Sequence, residues 1–231
     1  MGAADLAVAF RSMASDVELR VVDPGPGAPA ALERASTAIR AVATHLTRFD
    51  ETSALSRANR DPSGWHLVPA ELAEAVREAE TAHRATDGLF DPRVLATLLA
   101  WGYDRTFDAV ANFAGRWSLT WDQAGVAPSS VRPAAIGRWQ PGGLPGDGAS
   151  LVNLGGTPID LGGIGKGLAV RRAAAELAGA GASVLVDAGG DEWLGGPGPD
   201  GDGWKVGVED PHGGDDPVLV LVATDVGCAT S

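Results

Sequence analysis

"ASVLVDAGGDEWLGG", residues 182–196, places one short apolar run on each side of a Gly-Gly-Asp triplet and leaves no helix between them. Such runs bounded by Gly and Asp read as strands. The same grammar continues through "GWKVGVED" (203–210) and "PVLVLVATDVGCATS" (217–231), strands divided by Gly, Asp and Pro turns. Strands that follow one another without crossover helices favour an antiparallel or mixed sheet over a Rossmann sheet. Gly189-Gly190-Asp191 keeps two readings, a hairpin turn needing unusual φ/ψ and a glycine-rich neighbour of a binding site.

Immediately upstream, "IDLGGIGKGLAV" (159–170) sets a carboxylate, four glycines and one lysine before an alanine-rich helix expected from about Ile164 to Ala180. First-turn amides have no intrahelical acceptor and carry the positive end of the helix dipole, so they attract phosphate. The familiar phosphate motifs fail here. A Walker loop needs glycine where Asp160 stands and a hydroxyl residue where Gly167 stands, and GxGxxG needs a third glycine where Leu168 stands. Glycines for tight helix–sheet packing, a solvated lysine and Asp160 as a turn or cap therefore remain a full alternative to anion binding.

Further back, "DVELRVV" (16–22) alternates as a strand, stops at "DPGPG" and feeds the helical spacing of Leu32, Ile39, Val42 and Leu46 in residues 28–49. "VPAELAEAVREAETAHRATDG" (68–88) is the clearest helix, with Pro69 near its first turn, Glu71 and Glu74 near its positive end and Gly88 as a stop. In "LFDPRVLATLLAWGY" (89–103), Asp91 and Pro92 suit the N-cap and first turn of a short helix ending at Gly102. From Asp104 to Ser150 the pattern weakens. Short strands and a surface excursion are expected there, with Trp117, Trp121 and Trp139 partly in a core and "PGGLPGDGAS" (141–150) a mobile loop.

The 231 residues suffice for one domain, expected over 1–231, with 45% apolar residues and a core that needs no disulfide. A formal charge of −12 and the lack of a basic run exclude a nucleic-acid or anionic-membrane surface. Any anionic ligand must find positive potential locally. Cys228 is the only cysteine, expected as a small apolar residue near a strand end. His45, His66, His83 and His212 match no ligand spacing and are expected at structural or surface positions. No signal peptide or bilayer-length apolar run is visible, so a cytoplasmic location is expected, or an extracytoplasmic one if the true N-terminus is longer.

Four segments in order, "FRSMASDVELRV", "RFDETSALSRAN", "TDGLFDPRV…WGY" and "IDLGGIGKGLAVRRAAAEL…SVLVDAGGDEWLGG…WKVGVEDP", resemble the ApbE family of flavin transferases (FAD:protein FMN transferases). The resemblance implies an α+β fold with a mixed or antiparallel sheet core and flanking helices. It also implies transfer, with Mg²⁺, of the FMN half of FAD to a threonine or serine hydroxyl of a target protein, releasing AMP. An FAD pyrophosphatase giving FMN and AMP, or a non-catalytic FAD-binding protein, are the alternatives.

Carried over by position, the resemblance implies flavin contacts at Met13, Phe49, Leu89, Phe90, Asp91, Asp160 and Lys166. It implies a main-chain carbonyl ligand to the metal at Gly163, and no residue is identified as the general base. Two departures stand out. Ala14-Ser15 replaces the family's Gly-Thr after the methionine, and the chain stops at Ala229-Thr230-Ser231 where the family continues into a "HIIDPxTG"-like segment and further metal ligands. The expectation is therefore a domain incomplete at its C-terminus.

Overall fold

The computed structural model describes residues 5–103, 141–145, 149–214 and 216–230. The three tryptophans at 117, 121 and 139 lie outside the described residues. The chain divides into two compact units, one of residues 1–43 with 166–231 and one of residues 44–165.

The first unit holds a five-stranded sheet in the order β1-β2-β6-β7-β10, from β1 (Asp5–Ser12), β2 (Ser15–Val22), β6 (Ser183–Ala188), β7 (Asp191–Gly195) and β10 (Val226–Ala229). Every pairing in it is antiparallel, as the uninterrupted strand succession implied. Alternation sends Val17, Leu19, Val21, Val184, Val186 and Ala188 to one buried face. Helix α1 (Ala28–Leu46) contributes Leu32, Ala35 and Ile39 to the core, and Arg40 of α1 lies 4.2 Å from the Phe10 ring centroid. Helix α5 (Gly162–Leu177) adds Leu168, Ala169, Ala173 and Leu177, and Arg34 Nε ties α1 to Glu176 Oε2 of α5 at 2.7 Å. Each valine, leucine or isoleucine among these, fully buried, contributes roughly 1.5–3 kcal/mol.

The other sheet face carries a smaller cluster of Val22, Leu194 and Trp204, with Leu185, Val206, Ala223 and the half-buried Cys228 packed against it. Trp204 belongs to the two-stranded ladder of β8 (Trp204–Val208) and β9 (Leu219–Ala223), and its Nε1 donates to Gly195 O at 3.0 Å. Strand β9 leaves Leu219, Val220, Leu221 and Val222 exposed.

In the second unit, β3 (His66–Pro69), β5 (Ala149–Asn153) and β4 (Gly142–Pro145) form an antiparallel sheet in the order β3-β5-β4. Residues 141–150 were expected as a loop, and the structure corrects this: they supply β4 and the start of β5. Glycine and proline hid a strand whose pairing is backbone-made, and Gly142 leaves the Trp65 ring space that a Cβ would take. Around this sheet run α2 (Ala54–Arg60), α3 (Ala70–Ala85), a single 3-10 turn (Pro92–Val94) and α4 (Leu95–Ala100). Helix α3 buries Leu72, Ala75, Val76 and Ala79, the stripe its periodicity promised. Helix α2 gave no expectation, yet Ser53 caps it by accepting from Ser56 N at 3.0 Å.

Candidate functional site

Within residues 44–165, three of the resembling segments meet in hydrogen bonds, one pair of them between a side-chain amide and backbone and one between backbones. Asn59, the last residue of "RFDETSALSRAN", exchanges two bonds of 2.8 Å with the backbone of Ile159. Pro92, from the "FDP" triplet, accepts from Asp160 N at 2.7 Å through its carbonyl. The irregular approach to α5 is thus held on both sides as it reaches Asp160 and the helix start.

Both Asp160 carboxylate oxygens are engaged. Oδ2 accepts from Gly162 N at 3.0 Å, and Oδ1 accepts from Arg48 Nε at 2.9 Å. Asp160 thus takes the capping role that was one of its two readings: one first-turn donor is satisfied by the protein's own carboxylate, which the helix dipole favours at that end. Ile164 N and Gly165 N both turn to Leu161 O, at 3.0 and 2.8 Å. The Gly163 N–H lies in the same first turn, where no intrahelical acceptor exists.

Arg48 was not singled out in the sequence, although it immediately precedes Phe49. Its side chain is 6% exposed and that of Asp160 16%, so the pair is nearly buried. The guanidinium carbon lies 4.2 Å from the Phe49 ring centroid and 4.6 Å from that of Tyr103, and the two rings meet edge to face at 5.9 Å. Such cation–ring contacts are strongest where water is excluded. The Arg48 Nη2 group is buried and, among the described residues, has no hydrogen-bond partner.

Phe90 reaches the same helix start. A Cβ on Gly163 would come within 3.2 Å of Phe90 Cε2, so the missing side chain admits the edge of this ring. Phe90 is itself anchored at both ends of its backbone, its N–H to Thr86 Oγ1 and its carbonyl to the buried His83 Nδ1, each at 2.9 Å. Asp91 turns to Arg93, accepting from its backbone N at 2.9 Å and from its Nε and Nη2 at 2.8 and 2.7 Å. Burial raises the Asp91 carboxyl, but these bonds and the Arg93 and His83 charges outweigh it and hold the group below the ordinary aspartate range. Leu89 is 84% exposed.

In the other unit, Lys166 Nζ stands 3.9 Å from Asp191 Oδ2. Asp191 follows the β6–β7 turn, where Gly189 and Gly190 take φ of 67° and 89°. Gly190 N donates to Asp187 Oδ1 at 3.0 Å, and its carbonyl accepts from Thr230 N at 3.1 Å. Met13 and Ala14 form the β1–β2 turn with φ of 51° and 58°, a conformation that suits Asn and Gly and strains other residues. Glu18, Asp187 and Glu192 stand opposite one another across β2, β6 and β7. Burial raises the Glu192 carboxyl above its ordinary value, the Asp187 charge adds to this, and Glu192 Oε2 is buried without a partner among the described residues.

The structure therefore gathers Phe49, Phe90, Asp160 and Gly163 about the start of α5, pairs Lys166 with Asp191, and sets Met13 in a strained turn. Arg48, Asn59 and Tyr103 were passed over. Their signal was available only as neighbours of residues already marked. Among the described residues no group of three or more His, Cys, Asp or Glu is arranged to hold a metal ion, and no helix is long and apolar enough to cross a membrane.

The sequence matches the ApbE family model over residues 13–231. Among solved structures, the ApbE protein of Thermotoga maritima is 24% identical with a TM-score of 0.71, the match covering 99% of this chain and 70% of that one. The flavin transferase ApbE of Vibrio cholerae is 20% identical with a TM-score of 0.70, covering 99% and 72%. The flavinyl transferase ApbE of Pseudomonas stutzeri is 19% identical with a TM-score of 0.71, covering 97% and 69%. No curated protein matches the sequence.

Proposed function

The chain belongs to the ApbE family, and from that premise we propose that it is a flavin transferase moving the FMN half of FAD onto a threonine or serine hydroxyl of an acceptor protein. The carrying observation is the start of α5, where residues from three separate segments converge on a buried guanidinium that retains an unused donor. In the proposed step a bond forms between the acceptor oxygen and the FMN phosphorus, and the bond from that phosphorus to the bridging oxygen breaks. AMP leaves with the electron pair, and the hydroxyl proton is released.

The residues at hand supply position and charge, which is most of what phosphoryl transfer asks of a protein. Arg48 and Asp160 brace each other, Phe49 offers a 40% exposed ring beside them, and Lys166 carries a full positive charge on the first turns of α5. A flavin nucleotide fits the chemistry of Arg48, whose buried N–H wants an oxygen acceptor. Magnesium is proposed on the family resemblance alone. It takes six oxygens, and although a helical carbonyl such as that of Gly163 keeps a second lone pair, the described residues do not assemble a full shell.

Incubation with FAD, Mg²⁺ and a threonine-bearing acceptor tests the proposal. Flavin fluorescence on the denatured acceptor band is expected. A dark band accompanied by free FMN and AMP would replace transfer by FAD hydrolysis, and a dark band with FAD intact would leave only binding.

A further inference from the structure

Resting on that functional reading, we propose that Arg48 is a ligand-binding residue whose Nη2 donates to a phosphoryl oxygen of the bound flavin nucleotide, while its Nε holds Asp160. A buried donor without an acceptor costs free energy, and such groups are rare in folded proteins. Arg48 is such a group, with its side chain 6% exposed and Nη2 unpartnered.

Asp160 does not complete it, because one carboxylate oxygen is held by Nε and the other by the Gly162 amide. The rings of Phe49 and Tyr103 pack against the guanidinium and offer it no hydrogen-bond acceptor. No described residue supplies its acceptor, and the ligand completes it. Guanidinium N–H groups favour carboxylate and phosphate oxygens, and a flavin nucleotide carries its negative charge on phosphate. The first-turn amides of α5, beginning beside Asp160, add positive potential for the same group.

The test is flavin titration of the full chain with FAD, FMN and riboflavin, which share the ring system and differ in phosphate. Arg48→Gln is expected to weaken FAD and FMN by roughly 10- to 100-fold, the range of a charge-assisted hydrogen bond, while riboflavin keeps its affinity. Arg48→Lys, which keeps charge and loses the fork, is expected to fall between the two. It remains informative if thermal melting shows that Arg48→Gln does not fold. Because Arg48→Gln strands the Asp160 charge, the Arg48→Gln/Asp160→Asn double variant is measured as well, and its loss of FAD affinity is expected to persist.

An equal loss for riboflavin, unchanged FAD binding in Arg48→Gln, or recovery in the double variant overturns the assignment. Wild-type protein that binds FAD but flavinylates no acceptor would remove the transferase reading and leave this assignment standing. Protein that binds no flavin nucleotide would remove both.

Discussion

Two regions of the molecule collect charged side chains under opposite conditions. In residues 44–165, Arg48 and Asp160 form a one-to-one pair, nearly buried, with both carboxylate oxygens satisfied and an aromatic corner around the cation. In the remainder of the chain, one lysine faces Asp191 at 3.9 Å while Glu18, Asp187 and Glu192 line up across neighbouring strands. The first arrangement is charge-balanced and geometrically fixed. The second is unevenly paired, with Glu18 held by Arg20 Nη2 at 2.7 Å and Glu192 Oε2 without a partner among the described residues. A balanced buried pair mainly sets position, and its spare capacity is the Nη2 group of Arg48; a surplus of acids mainly sets how the structure responds to pH.

The sharpest way to break this contrast is Asp160→Ala, which strands the buried Arg48 charge. Loss of one partner of a buried pair costs about 3–5 kcal/mol, and urea denaturation is expected to show a drop of that order together with impaired FAD binding. Gly190→Val comes next, since the residue has φ of 89° and a Cβ would collide with Thr230 Oγ1. A destabilisation of about 1–3 kcal/mol is expected for a side chain forced into that conformation, measured in the same way. In the opposite direction, Ala14→Gly relieves a left-handed alanine at φ 58° and is expected to add about 1 kcal/mol.

Glu192 sharpens the comparison through pH. Its folded pKa is raised above the ordinary value of 4.5, by burial first and then by Asp187. The folded state therefore binds more protons than the unfolded state as pH rises through that interval, and stability falls there. Glu192→Gln is expected to be more stable than wild type at neutral pH, with the gain shrinking below the ordinary glutamate range. Asp91 has the opposite sign, its pKa being lowered, so its contribution is present above the ordinary aspartate value and fades as pH falls through the folded one. The smallest expected effect on stability is that of Lys166→Gln. Its partner is long-range and both side chains are partly exposed, so a change below about 1 kcal/mol is expected, while calorimetric titration is expected to show weaker FAD binding.

Local signals carried much of the fold. Residues 28–46 and 70–85 repeat their apolar positions at helical spacing, and residues 183–195 alternate about a Gly-Gly turn; in each case the pattern and the tertiary burial coincide. The β1–β2 hairpin was half visible because its turn uses Met13-Ala14, which has none of the composition such turns prefer. Strand β4 was hidden behind Gly142, Gly143 and Pro145, residues that carry little side-chain pattern. At the site, Asp160 and Gly163 stood out by type and spacing. Arg48 did not, because its importance comes from partners at Asp160 and Tyr103, far along the chain, and from burial that only the fold creates.

The structure of the FAD complex tests the central claim most directly. A phosphate oxygen within hydrogen-bond distance of the Arg48 guanidinium, beside the Asp160-capped start of α5, is the expected result. Phosphates bound elsewhere, with Arg48 Nη2 still lacking an acceptor, would contradict it.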